Sequence, residues 1–140
     1  MTKTIIEGVR DYILTCPYLD TLKRLNINFL DDGYSIEEVP IDPVVKSYID
    51  GSSERQFVFT FATRFEYNEE VKNNIDNSGF FEKFEKWLEE NQNKGNLPEL
   101  PEKMTASSIE INSNGYLYGI DNNMAYARYQ IQLRLLYDKE

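Results

Sequence analysis

Arg55-Gln-Phe-Val-Phe-Thr-Phe-Ala-Thr-Arg-Phe-Glu-Tyr67 is the stretch that decides the fold. Phe57, Phe59, Phe61, Phe65 and Tyr67 fall on one parity, and Gln56, Thr60, Arg64 and Glu66 on the other. A period of two held this long specifies a β-strand with one buried face. At ~3.3 Å per residue it spans about 40 Å, long for a globular strand. Such a strand needs a partner of equal length and a helix over its aromatic face.

The chain contains both. Met124 to Tyr137 reads as the partner strand, with Tyr129, Ile131, Leu133, Leu135 and Tyr137 on one face and Arg128, Gln130, Gln132 and Arg134 on the other. The matching Arg and Gln faces make a polar sheet surface directed at water, a channel or a neighbour. Phe80, Phe81, Phe84, Trp87 and Leu88 form the apolar stripe of a helix over 79–92, as expected for a helix packed on a sheet. Burying aromatics of this kind contributes roughly 1.5–3 kcal/mol each. Ser78 reads as its N-cap, Gly95 as its C-cap. Asp76-Asn-Ser-Gly79 separates it from a shorter helical start at Asn68-Glu-Glu, whose contacts are Val71 and Ile75.

Upstream, Thr4 to Leu14 reads as a first helix, with Thr4 and Glu7 as a capping box and Ile5, Val9 and Ile13 as the stripe, widened by Ile6 and Tyr12. Pro17 ends it, and Asp20 to Arg24 adds a turn. Leu25 to Leu30 and Tyr34 to Ile41 read as strands joined by Asp31-Asp32-Gly33 into a hairpin, with a bulge at Glu37-Glu38 where the apolar parity shifts. Pro40 and Pro43 place the end of the second strand at an edge or off the sheet. Asp42 to Glu54 reads as a loop. Its Val44, Val45, Tyr48 and Ile49 are too apolar for a solvated one, and either fold back on the core or bury against a neighbouring subunit. Asn96 to Lys103 is an extended connector. Thr105 to Asn112 and Tyr116 to Ile120 read as short strands about an Asn114-Gly115 turn, with Asp121-Asn-Asn123 as another. The expected class is α+β: a single domain, 1–140, with an antiparallel sheet packed by helices on one face.

A chain of 140 residues, 41% hydrophobic and 14% aromatic, suits one core and excludes global disorder. No apolar run approaches the ~20 residues of a membrane span, and the first residues, with Glu7 and Gly8, lack the apolar core of a signal peptide. One cysteine, Cys16, fits a reducing cytoplasm. Its two readings are a buried small hydrophobe and a reactive thiol, the latter without a histidine beside it. The net charge of -9 argues against phosphate-driven nucleic-acid binding. It serves solubility, or a surface past which nucleic acid moves without sticking.

The absence of histidine removes Ser-His-Asp and Cys-His catalysis and histidine metal sites. Dinucleotide and P-loop glycine patterns are missing, and the Asp/Asn turns do not match a calcium loop. The expectation is therefore no catalytic residue, no metal and no cofactor. A carboxylate enzyme or small-molecule binder remains as a reading of another class. It requires a pocket between helix and sheet, in the space expected to be filled by Phe57, Phe59, Phe61, Phe84 and Trp87.

Ile6-Glu-Gly-Val-Arg-Asp-Tyr-Ile-Leu14, Tyr48-Ile-Asp-Gly-Ser-Ser-Glu-Arg-Gln-Phe57, Asn77-Ser-Gly-Phe80, Trp87-Leu-Glu-Glu90, Gly95-Asn-Leu-Pro-Glu-Leu-Pro101 and Ala127-Arg-Tyr-Gln-Ile-Gln-Leu133 together resemble a family of small proteins of tailed phages and prophages of Gram-positive bacteria. Its members are labelled minor capsid or tail proteins, and the set is similar in size and layout to tail terminator proteins. The resemblance implies a virion protein, assembled in the bacterial cytoplasm into a hexameric ring. That ring caps the tail tube, stops its polymerisation and forms the head-joining surface. It implies as partners further copies of the chain, the tube protein and a neck or connector protein, with DNA passing through the lumen. Another neck component, head-completion or connector, is the alternative. Candidate subunit contacts are Val44, Val45, Tyr48, Ile49 and Arg55 in or beside the loop, and Arg64, Arg128 and Arg134 on the polar sheet face. Glu66 facing Arg64 or Arg134 across the sheet is the simplest alternative account of those arginines.

Overall fold

The computed structural model describes residues 4–19, 25–27, 33–66, 71–120 and 126–140. In chain order the elements are α1 (Ile5–Ile13), β1 (Leu25–Ile27), β2 (Tyr34–Glu38), β3 (Val44–Ser47), β4 (Ser53–Glu66), α2 (Val71–Lys94), β5 (Met104–Ile120) and β6 (Tyr126–Lys139). Among the described residues, six strands form one mixed, mostly antiparallel sheet in the order β1-β2-β4-β6-β5, with β3 also on β4. The class is α+β.

The quoted strand is its centre. β4 pairs antiparallel with β6 without a break from Ser53↔Lys139 to Glu66↔Tyr126, so the two alternating patterns lie in register. Phe57, Phe59 and Phe61 from β4 and Tyr129, Ile131, Leu133, Leu135 and Tyr137 from β6 are buried in a single cluster. Phe81, Phe84, Trp87 and Leu88 of α2 and Val9, Tyr12 and Ile13 of α1 belong to the same cluster. The Phe61 and Phe84 rings stack at 4.7 Å, and Tyr12 lies 5.2 Å from Trp87. Such ring pairs add to what area burial alone contributes. The Tyr12 hydroxyl donates to the Asn96 carbonyl at 3.0 Å, which ties the connector after α2 to α1. Burial raises the Tyr12 pKa, partly opposed by a hydrogen bond with Asn91.

The start of α1 and the end of α2 follow the sequence signals. Thr4 Oγ1 accepts from the Glu7 N–H at 3.2 Å and caps α1. Gly95 has φ +76°, and the Asn96 N–H returns to the Asn91 carbonyl at 2.8 Å, a Schellman closure that glycine permits at low cost.

Several expectations need correction. β1 and β2 are parallel, not a hairpin; the register sets Leu25 beside Tyr34 and Ile27 beside Ile36, apolar on apolar. Arg10 Nε holds the Leu25 carbonyl at 2.8 Å and fixes β1 in place. There is no bulge at Glu37-Glu38: β2 keeps register to Glu38↔Phe59, and the parity shift marks the strand leaving the sheet before Pro40. The 42–54 segment is not a loop. Val44–Ser47 form β3, antiparallel to the start of β4, with a register shift at Val45 and a turn closed by Tyr48 N–H to Ser52 carbonyl at 2.9 Å. The helix is unbroken through 76–79, because burial of Phe81, Phe84 and Trp87 outweighs the ~1 kcal/mol a mid-helix glycine costs.

Asn114-Gly115 is not a turn either, since β5 runs through it to Ile120. Gly115 serves close approach. A Cβ there would lie 2.5 Å from the Cβ of Phe81 on α2. Ser78 lies inside α2 and is therefore not its N-cap. The readings at Asp20–Arg24, 28–32, Tyr67–Glu70 and Asp121–Met124, and those for the side chains of Phe65, Glu66, Val71 and Ile75, lie outside the described residues.

Candidate functional site

The side chains picked from the sequence fall into two regions, the hairpin that leads into β4 and the polar side of the sheet, where Arg134 lies opposite Val58 and Arg128 opposite Arg64. The first is the hairpin formed by β3, its turn and the start of β4. Val44, Val45, Tyr48 and Ile49 are all exposed, Ile49 completely so at 108%. Of the two readings for these residues, folding back onto the core is thereby excluded within the chain. The turn itself is well built. Asp50 Oδ1 accepts from the Ser52 N–H at 2.9 Å and the Ser52 hydroxyl at 2.6 Å. Those bonds lower the Asp50 pKa and keep it anionic. Lys46 Nζ sits 5.5 Å from the centre of the Tyr48 ring, within cation–π range. Arg55 pairs across the sheet with Tyr137 and donates from Nε to Ser53 Oγ at 2.9 Å, so it belongs to the core-side parity at the hairpin base. The Tyr137 pKa is raised by burial, with Arg55 opposing.

The second region is the polar side of β4, β6 and β5. Arg64 lies opposite Arg128, not opposite Glu66, whose partner is Tyr126. The contacts of the Glu66 side chain lie outside the described residues. Glu37 on β2 accounts for one of the arginines: its carboxylate receives Arg128 Nη2 at 3.0 Å. Arg128 Nε also donates to Gln130 at 3.0 Å, and its guanidinium lies 5.2 Å from the centre of the Tyr118 ring. Gln130 Nε2 donates to the Tyr116 hydroxyl at 2.7 Å. Arg134 pairs with Glu110 at 3.5 Å. This face is less open than the sequence pattern implies, because Val58, Thr60 and Ala62, of the same parity as Arg64, are themselves buried.

About nine steps separate Arg55 from Arg64, or roughly 30 Å at ~3.3 Å each, so the eight candidate residues do not make one site. The residues missed are Tyr116 and Tyr118, 44% and 63% exposed. Reading Gly115 as a turn hid them; read as strand, it puts the two tyrosines in series beside Arg128.

Concave sites lie at the margins. An open groove of about 280 Å³ runs between the start of α1 and the segment joining β2 to β3, lined by Ile5, Ile6, Val39, Ile41 and Pro43 with Glu38. A second, of about 310 Å³, lies between α2 and β5 at Leu88, Gln92 and Ile111. The space between helices and sheet is occupied: Phe57, Phe59, Phe61, Phe84 and Trp87 are all buried. Cys16 is buried, and burial pushes its thiol pKa up, which disfavours the reactive thiolate. Among the described residues, no cluster of acidic, histidine or cysteine side chains could hold a metal ion, and no helix is long and apolar enough to cross a membrane. Comparison with known proteins finds no matching family model and no matching curated protein.

Proposed function

We propose that the chain is a structural subunit of a phage tail, a tail terminator or tail-completion protein. In this reading like subunits close into a ring, hexameric as in the terminators it resembles. The ring caps the tail tube, stops its growth and meets a neck or connector protein on its other side. On this reading the helices cover one face of the sheet and leave the hairpin and the exposed part of the polar face for neighbours. The subunit carries no cofactor and catalyses no reaction. Its net charge of -9 would let DNA pass through the lumen without binding. The protein would reside in the virion after assembly in the host cytoplasm.

One observation carries the reading. The hairpin presents four large apolar side chains within six residues, Val44, Val45, Tyr48 and Ile49, to solvent, and exposed apolar surface is a mark of interfaces. The test is the mass in solution across a concentration series, by light scattering after gel filtration, with and without the tail tube protein. A hexamer-sized species, formed alone or induced by the tube protein, is expected. A strict monomer indifferent to the tube protein would overturn the proposal.

A further inference from the structure

We infer that Asn114–Gly115 is a latent deamidation site, and that Glu85 of α2 keeps it from reacting by holding the Gly115 amide.

The chemistry belongs to the residue pair. The backbone nitrogen that follows an asparagine can attack the carbon of its side-chain amide. A nitrogen–carbon bond forms, the bond from that carbon to NH2 breaks, and ammonia leaves. Water then opens the cyclic imide to aspartate or isoaspartate, so neither an oxidant nor a cofactor is required. Glycine favours the attack, having no side chain to hinder the approach, and asparagine counts among the thermolabile residues. Two things oppose it. An extended backbone keeps the nitrogen away from the amide carbon, and a hydrogen bond engages the N–H.

The strand supplies the first of these imperfectly. β5 runs through 114 and 115, but its register against β6 passes from Ser113↔Gln132 to Tyr116↔Gln130. Asn114 and Gly115 thus stand together against one residue of β6, the arrangement of a bulge, where the ladder is disrupted. Asn114 is exposed, so water reaches the site.

Helix α2 supplies the second. Glu85 Oε1 accepts from the Gly115 N–H at 3.2 Å. Phe81, one turn earlier on α2, fills the space that a side chain at 115 would need. The packing that demands glycine therefore creates the reactive pair, and the same helix shields it. Reaction would undo the arrangement. Isoaspartate adds a carbon to the backbone and either product adds a carboxylate near Glu85, which would loosen α2 from the β5 edge and open that edge to pairing.

Asp50–Gly51 offers the contrast. The same attack on an aspartate requires a neutral carboxyl. The Asp50 carboxylate is held by the Ser52 N–H and hydroxyl, and the Gly51 N–H donates to the Tyr48 carbonyl at 3.1 Å. That turn is protected by its own residues, whereas Asn114–Gly115 depends on another element.

The test is ageing of the full chain at neutral pH, with deamidation read as a gain of one mass unit and placed at Asn114 by peptide fragmentation. Wild type is compared with Glu85→Ala, with Glu85→Gln, which keeps an acceptor oxygen, and with wild type unfolded in urea, which gives the unshielded rate. Folded wild type is expected to react at Asn114 far more slowly than the unfolded chain. Glu85→Ala is expected to raise the rate roughly 2–10-fold, the factor by which losing one hydrogen bond raises the population of the freed amide, with other asparagines unchanged. Glu85→Gln is expected to stay near wild type. A folded wild type that reacts as fast as the unfolded chain would overturn the inference, since nothing then shields the pair. So would a Glu85→Ala rate equal to that of wild type, which would credit the strand alone, or below it, which would make Glu85 a base for the attack. Acceleration at every asparagine alike, or in Glu85→Gln as much as in Glu85→Ala, would trace the effect to loss of fold or of charge and would overturn it too.

Discussion

β5 and β3 both border the sheet, but among the described residues only β5 is guarded by its own chain. The β5 edge is long, 17 residues, and a strand of that length left open would invite pairing with other molecules. Helix α2 occupies it. Gln92 Oε1 accepts from the Ile109 N–H at 2.9 Å, Glu85 Oε1 accepts from the Gly115 N–H at 3.2 Å, and Phe81 presses on Gly115. Several register shifts against β6 bend the strand further away from a regular template. Among the described residues β3 has none of this cover, and all four of its residues, Val44, Val45, Lys46 and Ser47, are exposed. The same fold thus closes one edge with its own helix and leaves the other to be met from outside. An edge without cover that is also short and bulged is suited to a specific contact and resists indefinite pairing.

The guarded edge takes part in the core through Phe81. Phe81→Ala should be the most damaging of the changes at this edge, at about 3–5 kcal/mol for a buried aromatic, since Phe81 is only 2% exposed. Gly115→Ala should cost about 1–3 kcal/mol alone, as an overpacking change. The two residues share one space, so the costs should not add. In the Phe81→Ala background the alanine at 115 has room, and its penalty should largely vanish in a denaturant-unfolding double-mutant cycle. Additive costs would show that the clamp of α2 on β5 is not what holds this edge.

How well each region could be read from the sequence follows the same division. The β4–β6 pair and the aromatic stripe of α2 were legible because burial imposes periods of 2 and 3.6 over many residues. The Thr4 and Gly95 caps were legible because they are local chemistry. Gly115 and the 76–79 segment were misread because glycine beside asparagine or serine signals a turn locally. Here a phenylalanine from another element, and a buried helix face, set the conformation instead. The parallel β1–β2 pair was misread because a short segment carries no mark of strand direction. Of the candidate contacts, the hairpin residues were found by their misplaced hydrophobicity. Tyr116 and Tyr118 were lost with the misread glycine, and the pairing of Arg128 with Glu37 depends on strand order, which no local pattern encodes.

Opening the guarded edge more gently should separate stability from association. Gln92→Ala leaves the Ile109 N–H to water at an exposed site, a loss of about 0.5–1.5 kcal/mol for one hydrogen bond. Its larger consequence should be a faster rise of turbidity on incubation, since part of the β5 edge then lacks its helix acceptor. The unguarded side should answer to acid instead. The Asp50 pKa is lowered from 3.8 by the hydrogen bonds from Ser52, side chain first. A lowered carboxylate value means that its contribution is fully present above the ordinary value and is lost as pH falls through the lowered one. Amide exchange at Ser52 should therefore be constant from neutral pH down to 3.8, once corrected for intrinsic rates, and lose protection below it. Loss of protection at higher pH would mean that another group holds the turn.

Ile49→Ser is the mildest change to the fold and the most informative about the edge contrast. Ile49 has no burial to lose, and substitutions at such positions usually change stability by less than ~0.5 kcal/mol. The denaturant midpoint should stay where it is. Self-association should not: the mass at high concentration should fall toward that of the monomer, because the side chain removed contributes apolar area only when a neighbour covers it. A lowered midpoint would mean that Ile49 packs within its own chain in solution. An unchanged midpoint with unchanged mass would mean that the hairpin's exposure has no bearing on association, and the contrast between the two edges would then be one of protection alone.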